Sequence, residues 1–155
     1  MLASFNGVSK VFLLNPYSRN LVSQVQNAVR VAQRANVKQI VRLSGMDASP
    51  SAGYRIARLH GEAEQFIEHS GIPYTFLRPN MFMQNFAFIA ATIKDQGRIY
   101  LPIGDGKVSY IDVEDVAAVA ASVLMNDTYE GKVSARFLCW RKKDSKKKNS
   151  CNNKF

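Results

Sequence analysis

Two observations in the sequence point to an α/β layer built on a parallel sheet. Short apolar runs without polar alternation recur along the chain, and each is followed by a segment whose apolar residues repeat at helical spacing. A strand covered on both faces shows no alternation, and strands separated by helices of roughly 12–16 residues form right-handed βαβ units. The expected fold is therefore a doubly wound α/β layer, and only part of one. No internal repeat is visible.

The first strand is expected over residues 8–14 (VSKVFLL), ending at Asn15-Pro16. A helix over residues 21–35 follows, because Leu21, Val25, Ala28, Val29 and Ala32 fall on one face. Asn20 or Ser18 suits its cap, and Asn36 its left-handed C-terminal turn. Residues 39–43 read as the next strand, and residues 44–53 as a loop rich in Ser, Gly, Pro and Asp. A second helix spans residues 54–69, with Leu59, Ala63, Phe66 and Ile67 at helical spacing and Gly71 at the left-handed stop. Pro73 blocks continuation, and Tyr74-Thr75-Phe76-Leu77 is a compact β-prone run that ends at Arg78-Pro79-Asn80. A third helix is expected over residues 81–95. Short strands at 98–102 and 108–111 flank a turn at Gly104-Asp105-Gly106. Asp112 caps a fourth helix, with Asp115 three residues on and a buried stripe of Val116, Ala120, Val123 and Leu124.

At 155 residues, with 46% hydrophobic and 21% charged, one globular domain is the default. No apolar run approaches the roughly 20 residues of a membrane span. The N-terminal MLASFNGVSK has no signal-peptide apolar region. Cys139 and Cys151 offer neither a disulfide framework nor a metal-ligand pattern, so a reduced, cytoplasmic setting is expected. The formal net charge of +9 is uneven. Residues 1–131 hold 12 Lys+Arg against 11 Asp+Glu, whereas residues 132–155 hold 9 against 1. Such a tail could bind nucleic acid or lie solvated and disordered. Its abrupt Lys/Asn/Ser-rich composition favours a truncated or frameshifted end, with nucleic-acid binding ranked last.

The stretch from His60 to Phe86, HGEAEQFIEHSGIPYTFLRPNMFMQNF, together with VFLLNPYS, ANVKQIVRLSG, GDGKVSYIDVEDVAAVAASVL and Glu130-Gly131-Lys132, resembles the NmrA-like group of atypical short-chain dehydrogenases/reductases. The likeness covers most of residues 1–132 and implies a Rossmann-like sheet comprising strands four to six or seven of the family fold. It implies a partial NAD(P)-binding domain at 1–131, a tail at 132–155, and a fragment of a longer protein. The expected function is that of an NAD(P)H-dependent oxidoreductase of the quinone or azo-reductase type. The alternatives are a dinucleotide-sensing regulator without turnover and an inactive remnant. Expected partners are the dinucleotide and a small quinone-like substrate, without a membrane. No G-x-G-x-x-G or G-x-x-G-x-x-G turn occurs, so the isolated chain is expected to lack the pyrophosphate anchor and to be inactive. Gly104-x-Gly106 lies between two short strands and reads as a hairpin turn. With strand order 3-2-1-4-5-6, the first strand here becomes a bare edge that favours self-association.

The resemblance also assigns site residues at the carboxyl ends of the strands. Asn15 and Pro16 line the cofactor's path, or else form an ordinary strand-end turn. Ser44 stands at the end of the second strand. His60 takes the place of the family Lys, but Ile56 occupies the position of the Tyr, and Tyr54 is offset by two residues. The Ser-Tyr-Lys mechanism is thus not encoded. His60 is left to hydrogen-bond a ribose or donate a proton near neutral pH, or merely to pair with Glu64 on a solvated helix face. His69 suits the helix C-terminal dipole. Pro79, Asn80 and Phe82 of P-N-x-F-x-x-N pass the nicotinamide. Otherwise Asn80 only caps the next helix, and Phe82, Phe86 and Phe88 are core or a pocket wall. Catalytic candidates are His60 and Ser44; no metal is expected.

Overall fold

The computed structural model describes residues 2–100, 108–126 and 133–136. After a 3-10 turn at Leu2–Phe5, the chain runs β1 (Lys10–Leu13), α1 (Leu21–Arg34), β2 (Gln39–Leu43), α2 (Arg55–Glu68) and β3 (Tyr74–Arg78). Then come β4 (Met81–Phe82), a 3-10 segment (Met83–Ile89), α3 (Ala90–Gln96), β5 (Tyr110–Ile111), α4 (Val113–Met125) and β6 (Val133–Arg136). The main sheet is parallel throughout, in the order β1-β2-β3-β6, and β4 pairs with β5 in a separate parallel pair. β1 is therefore a sheet edge among the described residues, as the family strand order implied.

Each face of the sheet carries its own core. On one side α1 and α2 bury Leu21, Val25, Val29, Ala63 and Ile67 against Ile40, Tyr74 and Phe76. On the other side α4 buries Val116, Ala120 and Val123 against Val41 and Leu77. Fully burying one such Val, Leu or Ile contributes roughly 1.5–3 kcal/mol, so these faces fix which side of each strand meets which helix. All five residues expected on the apolar face of α1 are buried. Asn36 and Gly71 take the left-handed conformation that ends α1 and the α2 region (φ 56 and 76). At the start of α1, by contrast, neither expected side chain caps the helix. Ser23 Oγ instead donates to the Asn20 carbonyl.

Three expectations need correction. Residues 81–95 are not one helix: β4 pairs with Tyr110–Ile111, the 3-10 segment follows, and only Ala90–Gln96 is α-helical. The cause is tertiary. Gln84 donates to Asp112 Oδ1 (2.7 Å) and accepts from the Val113 amide (3.2 Å), tying the 3-10 segment to the start of α4. Asp112 also accepts from the Glu114 amide, so the carboxylate caps α4 at its second residue. Second, Arg98 to Tyr100 form no strand, and the Gly104-Asp105-Gly106 turn lies outside the described residues. Third, β6 falls inside the stretch expected as a tail, because Val133–Arg136 completes the backbone pairing of β3.

Candidate functional site

The α1/α2 face changes character along the strands. Ile40, Tyr74 and Phe76 are apolar near the amino ends, whereas Arg42, Ser44 and Arg78 sit two or more residues further on, toward the carboxyl ends of β2 and β3. Since side chains alternate along a strand, these polar groups share the face that meets α2. α2 answers with His60 and Glu64, one turn apart. The Glu64 carboxylate, only 3% exposed, takes both Nε (3.0 Å) and Nη2 of Arg78 in a bidentate pair. That hydrogen bonding raises the Arg78 pKa. His60 is therefore not paired with Glu64 on a solvated face. Glu64 is buried and committed to a cation on β3.

His60 turns toward β2 instead. Its Nδ1 lies 3.2 Å from Nη2 of Arg42, a guanidinium that is 1% exposed. Burial lowers the Arg42 pKa to about 10, and the Glu64 charge works against that shift. Burial, and then the Arg42 charge, push His60 down to about 4. The imidazole is thus neutral at pH 7, which favours hydrogen bonding over delivery of a proton from imidazolium. A Cβ placed on Gly45 would stand 3.2 Å from His60 Cδ2 and 3.5 Å from Nε2, so that ring edge faces the backbone directly after Ser44.

The loop after β2 is held from several sides. The Ser44 amide donates to the Leu77 carbonyl (2.7 Å), and the Met46 amide to that of Pro79 (2.9 Å). The Tyr54 hydroxyl donates to the Met46 carbonyl (3.3 Å), and burial followed by Asp47 raises its pKa. Tyr54 is the N-cap residue of α2, in extended conformation, and does not replace the missing phenol at Ile56.

Asn15 and Ser44 share a further property. Asn15 Oδ1 and Ser44 Oγ are buried atoms without a hydrogen-bond partner among the described residues. β1 pairs Leu13 with Arg42, and two more steps along both strands bring Asn15 level with Ser44. A buried acceptor or hydroxyl left without a partner costs roughly 1–3 kcal/mol, and a ligand reaching this end of the sheet would complete both. In open α/β sheets that place is the carboxyl end of the strands. The groups fit the ribose and nicotinamide end of a dinucleotide: an amide oxygen, a hydroxyl and a ring N–H, with Arg42 engaged by His60 and Arg78 by Glu64.

The remaining candidates are distributed differently. Pro16 is exposed in the turn after Asn15, and Pro79 is buried behind the β2 loop. Asn80 caps no helix, since β4 follows it; its Nδ2 donates to Ser109 Oγ (3.0 Å). Phe82 belongs to the opposite face, packed on the α4 core. With Phe12, Leu14, Leu43 and Val116 it lines an apolar groove of about 340 Å³. Phe86 stacks at a tilt on Tyr110 (4.8 Å), and Phe88 is 87% exposed, so neither is core. His69 Nδ1 sits 2.7 Å from the Gln65 carbonyl at the end of α2. Among the described residues no cluster of His, Cys, Asp or Glu could hold a metal, and no helix is long and apolar enough to cross a membrane.

Arg42, the Arg78–Glu64 pair and Gly61 went unnoticed at the level of sequence. A charged residue inside an otherwise fully buried strand was the available signal for Arg42, since such a charge requires a partner.

Comparison with known proteins identifies the family. A family model described as NAD(P)H-binding matches residues 3–127. The NAD(P)H azoreductase of Xenophilus azovorans is 38% identical over 128 residues, which are 83% of this chain and 45% of that protein. Quinone oxidoreductase 2 of Escherichia coli (strain K12) is 31% identical over 134 residues, 86% of this chain and 46% of that protein. The structure of Citrobacter sp. triphenylmethane reductase complexed with NADP(H) superposes with a TM-score of 0.80 at 28% identity, over 90% of this chain and 50% of that one. The chain spans about half the length of the curated relatives it matches. On the family match and the Rossmann-like parallel sheet together, this chain belongs to the NAD(P)H-binding family, with the NmrA-like character that its motifs implied.

Proposed function

We propose that this chain forms the nicotinamide-side wall of an NAD(P)H-dependent oxidoreductase whose acceptor is a small quinone or azo compound. The observation that supports the reading is the convergence of partnerless Asn15 Oδ1 and Ser44 Oγ with His60 at the carboxyl ends of β1 and β2. When bound, the dinucleotide supplies the hydride, and the protein supplies position and electrostatics. Asn15 and Ser44 offer an acceptor and a hydroxyl to the ribose and nicotinamide amide, and neutral His60 offers a ring N–H. Pro16, Pro79 and Asn80 shape the turns beside them. Phe82 forms an apolar wall on the far side of the β3–β4 turn. Residues 1–131 together with β6 carry this role; the basic stretch beyond is an appendage without part in it, and the setting is cytoplasmic. The exposed β1 edge, flanked by Phe12 and Leu14, favours self-association.

The absence of a Gly-rich phosphate turn from the 155 residues favours a second reading. In it, these residues alone either bind the dinucleotide without turnover, as a regulator, or fail to hold it, as an inactive remnant. Titration with NADPH, followed by NADPH consumption with a quinone or azo dye, tests both. Binding that Ser44→Ala and Asn15→Ala weaken, with acceptor-dependent oxidation, supports the reductase. Binding without oxidation supports the second reading, and binding indifferent to both substitutions contradicts the site.

A further inference from the structure

We propose that Arg42 is a positioning residue for His60: it holds the imidazole as the neutral Nε2–H tautomer and so presents a hydrogen-bond donor, not an acceptor, to the ligand at the carboxyl end of β2. A guanidinium has only N–H groups to offer and no acceptor. Nη2 of Arg42 lies 3.2 Å from His60 Nδ1, so Nδ1 must accept and the ring proton must reside on Nε2. Setting the tautomer of one nitrogen through the bond made by the other is the usual way an imidazole is oriented. The Cδ2–Nε2 edge is the one that faces Gly45, beside Ser44, where the proton is wanted.

The surroundings leave Arg42 as the group that makes this choice. Glu64, the carboxylate one turn further along α2, is held by Arg78 from β3 and offers His60 no competing acceptor. β2 contributes Arg42 itself, and the following loop contributes the Gly45 backbone. Arg42 is costly where it stands. It is 1% exposed, and its Nε and Nη1 have no hydrogen-bond partner among the described residues. An apolar side chain of similar volume would often be neutral or stabilising at such a site. A role in fixing His60 accounts for a buried cation that packing does not call for.

This inference rests on the proposed role of the β1–β2 ends only for the identity of the ligand, and its test separates the two. Long-range 1H–15N correlation spectra of the whole chain with 15N-labelled histidine report the tautomer and titration of His60 without any cofactor. The expected result is a single Nε2–H tautomer with an acid-shifted titration. Arg42→Met should mix the tautomers and move the titration of His60 upward, and Arg42→Lys should restore the Nε2–H form through its ammonium donor. NADPH titration should show affinity weakened roughly three- to tenfold in Arg42→Met, the worth of one neutral hydrogen bond, and recovered in Arg42→Lys. An Nδ1–H tautomer in the unaltered protein overturns the inference, and needs no variant to fold. So does an Arg42→Met protein with unchanged His60 tautomer and titration. If the tautomer result stands while NADPH does not bind, the proposed function fails and the role of Arg42 survives.

Discussion

Replacing Gly61 with alanine should destabilise the protein, although alanine is the better helix former. Gly61 lies inside α2, directly after His60, and the loop that follows β2 crosses the helix there. A Cβ on Gly61 would stand 2.1 Å from the carbonyl carbon of Ser49, 2.4 Å from the Pro50 nitrogen and 2.5 Å from Ser49 Cα. Carbon atoms rest at about 3.5–4 Å, so loop and helix must separate by on the order of 1.5 Å. All three atoms belong to the backbone, and no rotamer change relieves the contact. Forced overpacking costs about 1–3 kcal/mol, occasionally more, and the gain in helix propensity returns at most about 1 kcal/mol. Contacts this short with backbone place the cost at or above the top of that range, so a net loss of about 2 kcal/mol is expected, which for a chain of this size lowers Tm by roughly 6 °C. Thermal and urea unfolding of Gly61→Ala provide the measurement. Gly53→Ala is the control, because a Cβ there meets nothing within 4 Å, and its effect should stay within about 0.5 kcal/mol. A Gly61→Ala protein as stable as the parent, or more stable, would refute the idea that this loop is seated on α2 and thereby brings Ser44 beside His60.

Three other outcomes are expected. Glu64→Ala leaves Arg78 without its carboxylate and should cost about 3 kcal/mol in urea unfolding, the lower end for breaking a buried pair because the Arg78 side chain is 18% exposed. His60 is depressed to about 4 in the folded state against the usual 6.5, so the unfolded chain binds the proton first. Its share of stability is complete above about pH 6.5 and is lost as pH falls toward 4. Discounted for the part of the ring that water reaches, the loss is on the order of 1–2 kcal/mol. The slope of the urea midpoint over that window should shrink in His60→Gln; an unchanged slope would assign the pH dependence to other groups. Leu14, 60% exposed beside the β1 edge, should promote association. Leu14→Lys should lower the sedimentation-derived mass at high concentration, and identical behaviour of the two proteins would exclude this edge as the contact.

How far the sequence could be read depends on which forces decide each element. α1 and the strand at Gln39–Leu43 were legible nearly to the residue, because one period or one apolar run determines them. The region after Asn80 was not. Its apolar residues Met83, Phe86 and Ile89 recur every third position, which suits a 3-10 turn as well as a helix. What settled it was pairing with Tyr110–Ile111 and the Gln84 bridge to Asp112, contacts nearly thirty residues away that no local pattern carries. Within the site, Asn15, Ser44 and His60 were visible as strand-end and helix positions. Phe82, left open between the nicotinamide path, core and a pocket wall, packs on the α4 core because a two-residue strand rather than a helix turn sets its direction. Glu64 looked like a surface partner of His60 because their spacing is right, and only the position of Arg78 shows why it is buried. Gly61 escaped the sequence reading although glycine carries a penalty in a helix interior, a cost that points to close backbone approach.

The most direct measurement is the amide chemical-shift footprint of NADPH on the 15N-labelled chain. Perturbations gathered at Asn15, Ser44, Gly45 and His60, and weakened together in Ser44→Ala, are the expected result. Shifts confined to the opposite end of the sheet around Lys38 and Pro73, or none with NADPH in large excess, would contradict a nicotinamide-side site at the ends of β1 and β2.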